Sequence, residues 1–209
     1  MGDRGLYMNN NWFGDINKSD DTKNKIKQTQ KSVRHLVIDA RVKAQKSAKR
    51  ILEEVELRVR VMDSRLVEFI VFVMANEWIQ QSYLGIDEEL KNLSLRPLSL
   101  ALALQASFWD GLLKEIEDNE NLDISAFILE TRDKAIVSGQ LFVEDMKPCY
   151  EELLQRLKNI KDLILEMKGM KAASDFGKIK NCFTFTSYTP LSVALREQKR
   201  VWDELVEKI

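Results

Sequence analysis

The stretch TKNKIKQTQKSVRHLVIDARVKAQKSAKRILEEVELRVRVM, residues 22–62, contains neither glycine nor proline. Within it, Val33, Val37, Ala40, Ala44, Ser47 and Ile51 recur at alternating steps of four and three, the spacing that brings side chains to one side of an α-helix. Small residues at Ala40, Ala44, Ser47 and Ala48 let a neighbouring helix approach closely. The step from Ile51 to Val55 is a second four in succession, which rotates the stripe and argues against a strict long coiled coil beyond that point. A long first helix from about Thr22 to Met62 is predicted, with a break at Asp63 or Ser64.

The rest of the chain reads the same way. Only 8 glycines and 3 prolines punctuate 209 residues, far fewer than the tight turns of an all-β fold would need. Leu66 to Leu84 is apolar nearly all round and predicts a central helix stopped at Gly85. Asp87 caps a short segment to about Leu95, and Pro97 opens another helix to about Glu117. Asp123 caps a helix to about Met146. Pro148 restarts or kinks it, and the spacing of Leu153, Leu157, Ile160 and Ile164 carries helix on to Met167. Phe183-Thr184-Phe185-Thr186 alternates like a strand with no partner strand, so residues 169–189 are expected to form an extended connector. Thr189-Pro190 then starts the final helix. These signals predict an all-α fold: an irregular bundle of about six or seven helices with a long basic first helix, a flexible polar N-terminal arm over residues 1–21 and a single helical domain over 22–209.

Charge is unevenly distributed. Residues 22–50 hold ten Lys or Arg against the single Asp39, so a helix of net +9 sits in a chain of net −1 and the remainder carries −10. At about 100° per residue, Lys23, Lys27, Lys31, Arg34, Arg41 and Lys49 fall within an arc of about 80°, a quarter-turn from the Val33–Val37–Ala44 seam. One side of the helix can pack while its neighbour meets an anion. A linear row of cations matches a nucleic acid backbone and would bind it without reading bases. A membrane-surface helix would instead carry Trp, Phe or Leu opposite its lysines, where this one has Val and Ala. In the arm, Trp12 and Phe13 form an aromatic pair suited to docking on a second subunit or partner.

Enzymatic templates find little support. His35 is the only histidine, which rules out multi-histidine zinc and di-iron sites. No Gly-rich phosphate loop occurs. Cys149 and Cys182 lack CxxC spacing, no apolar leader precedes them, and no apolar run is long enough to span a bilayer, so a reducing, cytoplasmic setting is expected. Two acidic pairs, Glu117 with Glu120 and Glu130 with Asp133, resemble those of the all-α nucleotide pyrophosphohydrolases, and that resemblance implies a Mg²⁺ site. A hairpin turning near Asn121, however, sets Glu130 opposite Leu113 rather than Glu117. The sequence therefore points to a non-enzymatic structural or assembly protein, nucleocapsid- or coat-like, that forms homo-oligomers and binds nucleic acid, with no cofactor. A helical interaction or adaptor module is the alternative, and the Mg²⁺-dependent hydrolase ranks third.

Overall fold

The computed structural model describes residues 12–74, 81, 85–119 and 123–209. Among them every regular element is a helix: α1 (Trp12–Met74), α2 (Ile86–Asp118), α3 (Ile124–Lys168), α4 (Met170–Thr186) and α5 (Tyr188–Val206). The all-α expectation holds. The expected six or seven helices do not: among the described residues five helices build four rods, because α4 and α5 follow one another along the same side of α1.

Residue pairs across the helices set the directions. Arg34 meets Glu117 and Arg41 meets Asp110, so α1 and α2 are antiparallel. On α2 and α3, Gln105 reaches Ala135 and Glu89 reaches Arg156. Along α1 in chain order, Lys43 contacts Glu204, Arg58 contacts Phe185 and Arg65 contacts Lys178, placing α5 and then α4 antiparallel to it. The result is an up-down-up-down four-rod bundle. Rods α2 and α4–α5 lie across its short diagonal, with α1 and α3 at the far corners.

Each departure from the expected breaks has a packing reason. Helix α1 runs through Asp63 and Ser64 because Met62, Leu66 and Phe69 continue the buried stripe of Ile51 and Val55. Helix α2 runs through Pro97, whose ring is buried between the buried Ser94 and Ala101. Helix α3 runs through Pro148 on an exposed side, where water can serve the carbonyl that loses its donor. Residues 170–186 are helical rather than extended: Ala173, Phe176, Ile179, Phe183 and Thr186 form a buried 3–4 stripe longer than the four-residue alternation that suggested a strand. Helix α1 also begins at Trp12 rather than Thr22, so the second half of the segment read as an arm has helical backbone; residues 1–11 lie outside the described residues.

Local chemistry fixes the ends. Gly85 (φ +78) and Gly169 (φ +80) take the left-handed conformation that L side chains resist, at the start of α2 and at the α3–α4 corner. Asp123 caps α3 as expected, accepting from Ala126 N at 3.1 Å. The α4–α5 break at Ser187 lies in the core, where hydroxyls serve the interrupted ladder: Ser187 Oγ donates to Phe183 O at 2.6 Å, and Thr186 Oγ1 lies 3.3 Å from Ser94 Oγ.

Three clusters fill the interior, the largest around Met62, Leu66, Tyr150, Leu157, Phe176 and Phe183. A second, at the end where α1 enters the bundle, centres on Trp109 and Trp202, whose rings stack at 3.6 Å and 6°. Beyond that end α1 extends past the described ends of the other helices. With Arg34 opposite Glu117 and α2 ending at Asp118, its residues before Val33 have no described helix beside them. About 20 residues at 1.5 Å each extend α1 by about 30 Å. Gln28, Thr29, Lys31 and Ser32 are exposed.

Candidate polyanion interface

The basic row on α1 divides where the helix enters the bundle. Arg34 and Arg41 share a side two turns apart, and the antiparallel run of α2 sets Glu117 and Asp110, also seven residues apart, against them. Arg34 pairs with Glu117, and Arg41 Nη2 lies 2.5 Å from Asp110 Oδ1. Lys43 on the other flank pairs with Glu204 of α5, and Lys49 lies 3.8 Å from Glu53 one turn along α1. Lys31, Lys46 and Arg50 are exposed. The Lys23, Lys27, Trp12 and Phe13 side chains lie outside the described residues.

Of the six cations singled out from sequence, then, Arg34, Arg41 and Lys49 have carboxylate neighbours in the chain, and Lys31 is solvent-facing in the projecting part. Each of the four ion pairs has at least one exposed member, and surface pairs contribute about 0.2–1 kcal/mol each. They neutralise the row where α1 is packed. Sequence reasoning missed Asp110, Glu117 and Glu204 as partners. The equal seven-residue spacing of Arg34–Arg41 and Asp110–Glu117 was the available signal.

Of the four carboxylates of the hydrolase arrangement, the three described ones each face a cation. Glu117 faces Arg34, Glu130 lies 2.6 Å from Lys134, and Asp133 lies 2.7 Å from Arg132, while Glu120 is outside the described residues. Among the described residues no three His, Cys, Asp or Glu side chains come together as a metal-ion cluster. His35 is exposed on α1. Cys149 is exposed, and Cys182 receives a hydrogen bond from Arg65 Nη1 at 3.2 Å. No described helix is long and apolar enough to cross a membrane.

Two carboxylates of α5 are tuned by their partners. Burial pushes Asp203 up, but hydrogen bonds from Lys199 and Arg132 outweigh it and hold the carboxyl below its ordinary value of 3.8. The hydrogen bond from Lys43 similarly lowers Glu204 from 4.5. A depressed folded-state pKa gives a contribution that is complete above the unfolded value and lost as pH falls through the folded one. Melting temperature should therefore fall on acidification below about pH 4.5, and Asp203→Asn with Glu204→Gln should flatten that fall while lowering stability at pH 7.

No protein-family model matches the chain, and no curated protein or solved structure matches it.

Proposed function

We propose that the chain is a non-enzymatic assembly protein that binds nucleic acid without sequence selection through the projecting part of α1. The observation that carries this reading is the division of the basic row. Lys23, Lys25, Lys27 and Lys31 precede the point where α1 meets α2, with no acidic residue between Thr22 and Ile38. Of the cations that follow, Arg34, Arg41 and Lys43 pair with carboxylates of α2 and α5, and Lys49 lies near Glu53 of α1 itself. A helix extending past its bundle offers phosphates a row of lysines whose acidic neighbours in the sequence are confined to Asp15, Asp20 and Asp21 at its start, and counter-ion release supplies the affinity. A role in self-association through Trp12 and Phe13 belongs to the same reading: their helix would dock on a second copy, and Trp12→Ala with Phe13→Ala should lower the assembled mass.

The test compares two variant sets by fluorescence anisotropy on labelled oligonucleotides of unrelated sequence. Wild type should bind them alike. Three phosphate contacts, from Lys23, Lys27 and Lys31 on one side of the helix, give a log–log salt slope of about −2.7, a loss of about 40-fold in affinity between 50 and 200 mM salt. Changing Lys23, Lys25, Lys27 and Lys31 to Gln should abolish that slope. Changing Arg34 and Arg41 to Gln should lower the melting temperature slightly and leave most of the binding. A wild-type chain that binds no oligonucleotide at low salt would sink the proposal. The second reading, a helical interaction module, would then stand, and the Arg34–Glu117 and Arg41–Asp110 pairs favour it by showing that this helix takes protein carboxylates as partners.

A further inference from the structure

Away from α1, a groove of about 450 Å³ opens between α3 and α5. Its walls follow the helical repeat on both sides, with Ile136 and Val143 facing Leu195, and its floor reaches Ala135 and Gly139. Those two residues are small enough to let the groove descend to a third helix, where Gln105 of α2 lines it although only 3% exposed. Gln105 Nε2 donates to Ala135 O at 2.9 Å, and Oε1 has no donor among the described residues. That oxygen is not among the fully buried polar atoms left without a partner, so it opens to the groove, where water or a ligand's donor can reach it.

Gly139 lets Leu195 and Gln105 close in at the floor: a Cβ there would sit 3.2 Å from Leu195 Cδ2 and 3.4 Å from Gln105 Nε2, so any side chain would displace one of them. At the rim stand Lys147, Arg196 and Lys199 against the single carboxylate Glu144. Lys147 lies 3.7 Å from Glu151 and Lys199 is 2.8 Å from Asp203. Arg196 is exposed and has no carboxylate partner among the described residues.

We infer that this groove binds a small anionic amphiphile: a carboxylate or sulfonate whose head meets Arg196, whose apolar body lies along Ile136, Val143 and Leu195, and whose hydrogen-bond donor, where it has one, reaches Gln105 Oε1. The volume falls within the range of small-molecule sites, and clefts between bundle helices are a recurring location for them. A planar guanidinium at the mouth favours the forked oxygens of an acid head over a neutral alcohol. None of these residues belongs to α1, so the inference stands apart from nucleic acid binding.

The probe is 8-anilinonaphthalene-1-sulfonate, which combines an apolar body, an anionic head and an N–H. Fluorescence titration of the full chain should show one saturable site per chain, displaced by decanoate far better than by decanol and unaffected by oligonucleotide. Arg196→Glu, at an exposed position, should weaken probe and decanoate by about tenfold or more, the scale of one lost charge-assisted contact. Ser192→Trp, which fills the groove from its half-buried wall, should abolish both, with circular dichroism unchanged. Non-saturating binding, or binding that Arg196→Glu leaves untouched, would overturn the inference whether or not the tryptophan variant folds.

Discussion

Replacing Trp202 with alanine is expected to cost about 3–5 kcal/mol of unfolding free energy, read as a lowered urea midpoint, because a fully buried indole leaves a cavity the helices cannot close. Trp202 is 0% and Trp109 1% exposed, and together they hold α5 to α2 across the short diagonal while packing with Val37 and Ala44 of α1 and Ile128 of α3. Truncation also removes the stacking, worth about 0.5–1.5 kcal/mol beyond burial. Phenylalanine should behave differently. Nε1 of both tryptophans is buried without a hydrogen-bond partner among the described residues, and an unpaired buried donor costs about 1–3 kcal/mol. Trp202→Phe removes that donor and keeps a ring in the stack, so its net cost should stay below about 2 kcal/mol. An alanine variant within 1 kcal/mol of wild type would mean that the second cluster does not secure the bundle.

The helical class was legible from residues 22–62 and from the scarcity of glycine and proline, since both act through local backbone preference. The number of helices was not. Pro97 and Pro148 each carry the local cost of a lost hydrogen bond, about 3 kcal/mol in a helix interior. That cost is overridden by contacts the linear sequence does not display, such as Leu98 and Leu102 packing with Ile51, Val55 and Ala194. Phe183 to Thr186 misled for the same reason, because its alternation covers four residues and its helical stripe begins ten residues earlier. At Trp12 the signal was missing altogether: residues 12–21 show no apolar period, and their helical backbone prolongs a helix already nucleated downstream, where each further residue costs little.

The candidate interface was half legible. A run of ten cations is a property of composition and needs no fold. Their neutralisation depends on helix register, and register joins Arg34 to a residue 83 positions away. A single sequence shows the matching seven-residue spacings but gives no means of aligning them. The α3–α5 groove was less visible still. It is lined by small residues at Ala135 and Gly139 and by a glutamine from a third helix, and neither announces itself as chemistry when read along the chain.

Tyr150 supplies the second large effect and a test of the opposite end of the bundle. It is 2% exposed, with Phe183 at 6.2 Å and Tyr188 edge-on at 5.6 Å, and its hydroxyl is buried without a partner among the described residues. Tyr150→Ala should therefore cost about 3–5 kcal/mol, whereas Tyr150→Phe, which deletes only the unsatisfied oxygen, should be neutral or stabilising. Burial, with a smaller contribution from neighbouring Cys149, pushes the phenol up from its ordinary value of 10.0. The folded state then keeps the proton where the unfolded chain releases it, so the stability tied to this group is complete below about pH 10 and declines above it, by up to about 1.4 kcal/mol per pH unit. Urea midpoints measured from pH 8 to 11.5 should fall more steeply for wild type than for Tyr150→Phe. Parallel curves would show that the phenol reaches water in the folded protein, and the packing assigned to the α3–α4–α5 core around it would be wrong.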